Sequence, residues 1–189
     1  MVDLVAWAYS VAWGRLAEPL PRRWAHVQGV ARRIAQAGGL FTPADRELAE
    51  AAAVLHDVGY APDVVASGFH PVDGARYLEE QGFPDRLCAL VARHSCAHSE
   101  AALREVSADL ARWEDEKTAV RDALWWADMT TTPDGGLTTV ADRIEEIRER
   151  YGPDDLVTAS IGQARPELAA AVERTEERLR AVGLGQVVK

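Results

Sequence analysis

Apolar residues recur at intervals of three and four along nearly the whole chain, and apolar–polar alternation over four or more residues is essentially missing. Such a stripe is typical of an amphipathic α-helix, whereas alternation would indicate a half-buried strand. The spacing therefore predicts an all-α fold, which we expect to be a compact helical bundle.

Proline and glycine divide these stripes into separate helices, because proline favours the first helical turn and glycine the position after the last one. No repeat or long linker splits the chain, so we expect one domain over residues 1–189. The first predicted helix covers 4–12 and is ended by residues 18–21, the second covers 27–34 and is ended by 38–39, and the third is capped by Thr42 and runs to Gly59. A loop over 60–69 precedes a fourth helix from about His70 to 82 and a fifth over 87–94. Two further helices flank a loop at 131–136, and a last helix covers 166–182.

Charge and cysteine content exclude several classes of protein. Lys and Arg number 21 against 30 Asp and Glu, a net charge of -9 that disfavours binding to long nucleic acids. The two cysteines form no CxxC pair, which excludes a zinc ribbon and favours reduced thiols. No apolar run approaches the ~20 residues of a membrane span, and the N-terminus lacks the early cationic stretch of a signal peptide. We therefore expect a cytoplasmic protein without a membrane partner.

Histidines and aspartates follow the apolar stripes at positions that should face the interior. His56 and Asp57 close one apolar run, Asp128 closes another, and His26 and His94 lie on stripes of their own. Each alone is more often a satisfied core polar group, such as a salt-bridged aspartate at a helix end. Together they resemble the way helical bundles build metal sites from facing side chains. The N/O ligands suit Zn, Fe, Mn, Co or Ni, and the lack of thiolates argues against a structural zinc site.

The order of these residues resembles a known family signature. His26, then His56-Asp57, then Asp128 is similar to the H…HD…D pattern of the HD superfamily, which comprises all-helical, metal-dependent phosphohydrolases. The resemblance implies an HD-type helical bundle in which these four residues bind a divalent transition metal.

Flanking residues extend the resemblance. The segment 23–27 is similar to the first helix of the family, and the segment 52–59 is similar to its HD helix. The resemblance covers roughly residues 23–151, so we expect the N- and C-terminal helices to pack outside this motif-bearing core.

Two further histidines point to a subset of the superfamily with six ligands. His70 begins an H-x-x-x-G-A element and His94 ends the element that follows it. The subset includes a phosphatase of symmetrical dinucleoside tetraphosphates and di-iron oxygenases that cleave C–C or C–P bonds. By this resemblance one ion would be held by His26, His56, Asp57 and Asp128, and a second by His70 and His94 with Asp57 bridging.

The chain departs from the family pattern at one position. Many HD proteins have Lys three residues after the HD aspartate, near the substrate phosphate, where this chain has Tyr60. Arg23 could replace that lysine, or it could form a structural salt bridge. Asp122 and Asp134 compete with Asp128 for the last ligand position, and we prefer Asp128 because it follows an apolar Leu-Trp-Trp run.

Three other features allow a functional and a structural interpretation. His98 lies four residues after His94, so both could face one side of a helix, with His98 as an acid or base near the metal; a surface histidine is the alternative. The segment 130–136 either lines the mouth of the site or is a plain loop. The six tryptophans are expected in the core rather than in a nucleobase pocket.

The resemblance implies a metal-dependent phosphohydrolase that acts on a small phosphorylated metabolite or nucleotide through one or two metal ions and a metal-activated water. Asp57, Arg23 and His98 are the candidate catalytic residues. A di-iron oxygenase would use the same ligands, and a non-catalytic HD-fold module that binds a ligand or partner is a third hypothesis. A homo-oligomer is compatible with the sequence.

Overall fold

The computed structural model describes residues 3–188 and confirms the predicted all-α fold. Within those residues the only strand-like pairing is an isolated antiparallel bridge between Thr131 and Leu137. The helices are α1 (Leu4–Leu16), α2 (Pro21–Gln36), α3 (Pro43–Leu55), α4 (His70–Glu80), α5 (Asp85–Ala92), α6 (Ala97–Leu103), α7 (Ser107–Leu110), α8 (Ala119–Met129), α9 (Val140–Tyr151) and α10 (Leu156–Ala181).

Side-chain caps begin several of these helices. The Thr42 hydroxyl accepts a hydrogen bond from the Asp45 N–H, and Pro43 occupies the first position of α3, as the sequence predicts. Thr118 and Thr139 cap α8 and α9 in the same way. Such caps satisfy N–H groups that have no partner within the helix.

The third helix is shorter than predicted. It ends at Leu55, and a separate turn over Val58–Tyr60 follows, so His56 and Asp57 lie beyond the helix. Gly59 makes this turn possible, because a Cβ at that position would lie 1.9 Å from the backbone oxygen of His70. The chain turns where α3 meets the start of α4.

The prediction that His94 continues the fifth helix is wrong. Helix α5 ends at Ala92, and His94 begins a short turn in which Ser95 and Cys96 both have positive φ, at 45° and 59°. This left-handed pair redirects the chain before α6 begins, so His94 and His98 do not share one helical face.

The last helix begins earlier than predicted. Asp155 caps α10 by accepting a hydrogen bond from the Val157 N–H at 2.7 Å, and Pro166 lies inside the helix rather than at its start. The missing N–H of proline removes one helical hydrogen bond there, while buried residues on both sides, including Ile161 and Leu168, hold the helix on the core.

Helices α2, α3 and α8 pack on one another at the centre of the molecule. Helix α8 is buried over Val120–Met129, with Trp125 and Trp126 almost fully enclosed. Helix α1 packs on α3, and α10 packs on α6, α8 and α9. Trp13 is an exception to the expected burial of the tryptophans, since 65% of it is exposed.

Cys88 and Cys96 are free, buried thiols. Among the helices that the structure describes between residues 3 and 188, none combines the length and apolarity required to cross a membrane.

Candidate metal centre

The six side chains predicted as ligands come from five elements and meet inside the core. Five of them are buried, and the His70 side chain is 15% exposed. The structure therefore brings all six together. His26 comes from α2, His56 and Asp57 from the turn after α3, His70 from the first position of α4, His94 from the turn after α5, and Asp128 from the last turn of α8.

Three of the histidines are oriented by hydrogen bonds to backbone carbonyls. A carbonyl only accepts, so Nδ1 carries the proton in each ring and the Nε2 lone pair is left for another partner. Such an arrangement is usual for imidazoles that bind metal. The bonds run from His26 to Thr132 (2.9 Å), from His56 to Ala53 (2.8 Å) and from His94 to Val91 (2.6 Å).

The loop over 130–136 helps to orient His26. A Cβ on Gly29 would lie 2.6 Å from the Cα of Gly135, so the loop and α2 approach more closely than larger residues would allow. This contact brings the Thr132 carbonyl to the His26 ring. The loop thus has a structural part in the site.

His26, His56 and Asp128 form the first group of potential ligands, with ligand atoms all within 4.8 Å of one another. The Oδ1 atom of Asp128 lies 3.0 Å from Nε2 of His26 and 3.8 Å from Nε2 of His56. Its Oδ2 atom accepts a hydrogen bond from the Ser95 hydroxyl at 2.5 Å, which leaves Oδ1 facing the two imidazoles.

Asp57, His70 and His94 form the second group. The Nε2 atoms of His70 and His94 lie 3.1 Å apart. The Val91 carbonyl holds Nδ1 of His94, so the two rings converge through their Nε2 atoms on the same small region.

Asp57 lies between the two groups. Its Oδ2 atom is 3.4 Å from Nε2 of His56 and 3.9 Å from Nε2 of His26, while its Oδ1 atom is 3.5 Å from His70 and 4.0 Å from His94. Each oxygen of one carboxylate thus faces a different group, which is the placement that a bridging ligand requires.

The ionisation states favour a bound cation. Burial raises the pKa of Asp57, but the opposing charge of Arg23, whose Nη1 lies 2.7 Å from Oδ2, helps to hold that pKa well below its usual range. Burial also raises the pKa of Asp128, yet the neighbouring His26 and His56 together outweigh it and the pKa is lowered. Two buried carboxylates therefore stay charged.

Two of the imidazoles do not offset that charge. Burial lowers the pKa of His56, and burial together with the neighbouring His94 ring lowers the pKa of His70 well below its usual value. Within residues 3–188, Arg23 is the one guanidinium bonded to the cluster and it pairs with Asp57, so Asp128 has no arginine or lysine partner there. A buried excess charge is costly unless a counter-ion is present.

The donor set fits a divalent transition metal. The Nε2 atom of His56 is buried and has no hydrogen-bond partner within residues 3–188, although its ring is fixed with that atom towards Asp57 and Asp128. An unpaired buried acceptor beside two carboxylates is explained by a cation that accepts its lone pair. Neutral imidazoles and carboxylates are ligands that Zn, Mn, Fe, Co and Ni share.

Tyr60 stands where the family pattern has lysine, and its ring stacks between the His70 ring and the Arg23 guanidinium. Its ring lies 3.9 Å from the His70 ring at an interplanar angle of 18°, and the guanidinium carbon of Arg23 lies 4.0 Å from the Tyr60 ring centroid. Burial raises the pKa of the Tyr60 phenol, so the ring stays neutral. Arg23 forms the salt bridge with Asp57 and also lines the cavity beside the cluster.

Three other predicted candidates lie outside the cluster. The His98 side chain is 46% exposed, lies 3.4 Å from Glu167, and does not line the cavity beside the cluster. Asp122, a competitor for the last ligand position, instead pairs with Arg174 and Arg178. Asp134, the other competitor, pairs with Arg22 at the surface.

Two adjoining cavities, each open to solvent, lie beside the cluster, and we call them the inner and the outer cavity. The inner cavity, of ≈ 100 Å³, is lined by Asp57, His70, His94 and Asp128 among others. The outer cavity, of ≈ 370 Å³, is lined partly by His26 and by Pro133 from the loop over 130–136. That loop therefore borders the approach to the cluster.

Sequence reasoning missed the contribution of α9 and α10 to this site. Arg143, Ile147 and Arg150 line the inner cavity at a spacing of four and three, so they share one face of α9. The available signal was arginine at two positions of an otherwise core-facing stripe. Ser95 was also missed, because nothing in the sequence shows that its hydroxyl reaches Asp128.

A family model described as the HD domain matches residues 23–147, about two thirds of the chain. No curated protein and no solved structure matches the chain.

Proposed function

Because the chain belongs to the HD domain family, we propose that it is a metal-dependent phosphohydrolase that acts on a small phosphate ester or nucleotide. The position of Asp57 supports this best, since its two carboxylate oxygens face two different groups of potential ligands. A shared carboxylate is suited to a dinuclear site, and the same residues could also hold a single ion.

His26, His56 and Asp128 would hold one ion, and His70 and His94 would hold the other, with Asp57 shared. A divalent metal held in this way acts as a Lewis acid, which lowers the pKa of water towards neutrality and offsets charge on phosphoryl oxygens. The Nδ1 hydrogen bonds hold three of the imidazoles in the orientation that metal binding requires.

Arg23 would contact the reacting phosphoryl group in place of the lysine found in many HD proteins. Its guanidinium lies over the Tyr60 ring and against Asp57, and the side chain lines both cavities. A planar guanidinium can bond Asp57 and a phosphate oxygen at once, because it carries five N–H donors. Tyr60 would act by holding this group in place.

Metal content and phosphate release test the proposal together. We expect protein purified without added metal to contain a transition metal and to release phosphate from p-nitrophenyl phosphate or a panel of nucleotides. Asp57→Asn should lose most of the metal and the activity, because one neutral amide replaces the shared carboxylate.

Several outcomes would contradict the proposal. If wild-type protein stayed metal-free after reconstitution, the proposed metal site would be wrong. If metal-loaded protein released no phosphate from any ester, the proposed hydrolase activity would be wrong. Uptake of dioxygen by an iron-loaded, phosphatase-inactive protein would favour the oxygenase instead.

A further inference from the structure

The inner and outer cavities meet at a neck formed by Arg23, Arg150 and Tyr151, the three residues that line both. The guanidinium carbon of Arg150 lies 4.9 Å from the ring centroid of Tyr151, a distance typical of a cation–π contact. A substrate that reaches the cluster from the outer cavity therefore passes these side chains.

The two cavities differ in size, so each suits a different part of a substrate. Pockets for drug-sized ligands have volumes of roughly 300–1,000 Å³. The inner cavity, at ≈ 100 Å³, is smaller than such pockets and has room for a phosphoryl group. The outer cavity, at ≈ 370 Å³, is large enough for that part.

The walls of the outer cavity suit an apolar or flat organic group. Uncharged side chains supply much of the lining and present rigid or apolar surfaces. They are Pro19, Leu20, Pro21, Pro133 and Tyr151.

The wall of α9 at and beside the neck carries positive charge in excess of what the protein itself neutralises. Arg143 and Arg150 both pair with one carboxylate, that of Glu146, which lies 3.6 Å from Nε of Arg150. Arg143 is only 5% exposed, and its Nε is buried without a hydrogen-bond partner in the described part of the chain. Two guanidiniums therefore share one negative charge beside the inner cavity.

The other arginines that line the cavities, and the acidic Glu100, have partners. Arg23 bonds Asp57, and Arg22, which lines the outer cavity, bonds Asp134 at the surface. Glu100, an acidic residue of the inner lining, pairs with Arg104 at 2.6 Å. The unbalanced positive charge is thus confined to the face of α9 that carries Arg143 and Arg150.

We propose that the substrate is an organic diphosphate, with a second phosphoryl group bound at the neck by Arg150. This inference rests on the proposed hydrolase function. The terminal phosphoryl group occupies the inner cavity beside the cluster, the second lies against Arg150, and the organic group occupies the outer cavity. Arg150 is then the residue that distinguishes diphosphates from simple phosphate esters.

The reaction on such a substrate is a hydrolysis that needs no further reactant. The oxygen of water bonds to the terminal phosphorus, and the bond from that phosphorus to the bridging oxygen breaks. The bridging oxygen keeps the electron pair and leaves with the organic monophosphate. Inorganic phosphate is the second product, and the proton lost by water passes to the released phosphates or to solvent.

Binding of two anions that cannot be hydrolysed tests the role of Arg150 without turnover. Isothermal titration calorimetry on the protein as purified would compare inorganic phosphate with methylenediphosphonate. We expect methylenediphosphonate to bind at least about tenfold more tightly to the wild type. Arg150→Gln should weaken methylenediphosphonate about tenfold, the effect of losing one charge-assisted hydrogen bond, and phosphate less than about twofold.

Arg148→Gln is the matched control. Arg148 lies on the same helix, is 48% exposed, pairs with Glu145, and does not line either cavity. It should bind both anions like the wild type, and Arg150→Lys should recover part of the lost affinity because it keeps the charge. Metal analysis after each titration verifies that the diphosphonate has not extracted the ion.

Equal effects of Arg150→Gln and Arg148→Gln would overturn the inference. So would an equal loss of phosphate and methylenediphosphonate affinity in Arg150→Gln, which would place Arg150 at the reacting phosphoryl group. Failure of the proposed function is separate, since it consists of metal-loaded wild type that releases no phosphate from any substrate.

Discussion

Ser95 shows how one residue can support a whole site. It adopts a left-handed conformation, φ 45° and ψ 48°, directly after His94. For a residue with a Cβ this conformation costs roughly 1–2 kcal/mol. In return the turn directs the His94 ring and the Ser95 hydroxyl to the same cluster, and that hydroxyl holds Oδ2 of Asp128.

Substitutions at Ser95 should separate the hydrogen bond from the backbone strain. We expect Ser95→Ala to weaken metal binding by about 10- to 100-fold, because Asp128 loses the partner that orients it. Ser95→Gly should weaken metal binding equally but be more stable than Ser95→Ala by about 1 kcal/mol, since glycine adopts positive φ without strain. Competition with a chelator and urea denaturation measure the two effects. Unchanged metal affinity in both variants would show that the hydroxyl has no part in the site.

At the scale of elements, the crossing of the turn after α3 with the start of α4 positions half of the cluster. Gly59 and Gly74 bring the two backbones together, and each would place a Cβ against the other segment. This contact sets Asp57 opposite His70, whose ligand atoms are 3.5 Å apart.

Gly59→Ala should therefore be strongly destabilising. Its Cβ would lie 1.9 Å from the His70 oxygen and 2.7 Å from the Gly74 nitrogen, and backbone atoms cannot move aside as a side chain can. We expect a loss of at least about 2 kcal/mol in the free energy of unfolding, measured with urea. Gly14→Ala is the control: a Cβ in α1 meets nothing within 4 Å, and the helix should gain about 0.5–1 kcal/mol. Similar values for the two variants would contradict this account of the crossing.

At the scale of the whole molecule, the cluster joins segments that are distant in sequence. Its six residues extend from His26 to Asp128 and come from α2, α4, α8 and the turns after α3 and α5. An ion bound there would hold these segments together only in the folded state, because the unfolded chain does not form the site. Metal binding should therefore stabilise the entire fold.

Thermal unfolding measures this coupling. A metal present at 100 times its Kd adds about 2.7 kcal/mol of stability, which for a chain of this length raises Tm by about 5–11 °C. We expect chelation to remove that shift in the wild type. His56→Ala should show no shift, because the variant lacks a buried ligand, whereas His98→Ala should retain it. A shift that survives in His56→Ala would place the stabilising metal elsewhere.

Much of the site could be predicted from the sequence because its chemistry lies in ordered residue types. Helical spacing of apolar residues indicated an all-α fold, and the order of His26, His56-Asp57 and Asp128 carried the family resemblance that the HD domain match confirms. Asp128 was preferred over its competitors for its place after an apolar run, and the structure places it beside His26. These features are local in sequence, so the sequence alone is sufficient to identify them.

Tertiary structure alone decided how those residues meet. Spacing suggested that His94 and His98 share a face, but the left-handed pair at Ser95 and Cys96 separates them. Residues with positive φ other than glycine leave no mark in a hydrophobic pattern, because the conformation is imposed by contacts with distant segments.

The same reason explains why the second wall of the site was not foreseen. The arginines of α9 lie far along the chain from the HD motif, and only the packing of α9 and α10 brings them to the cavity beside Asp57. Sequence by itself thus determined the fold class and the candidate ligands, since both depend on residue type and short-range spacing. The sharing of Asp57 between two groups and the charge at the neck were decided by tertiary structure, since both depend on distances between segments that only folding brings together.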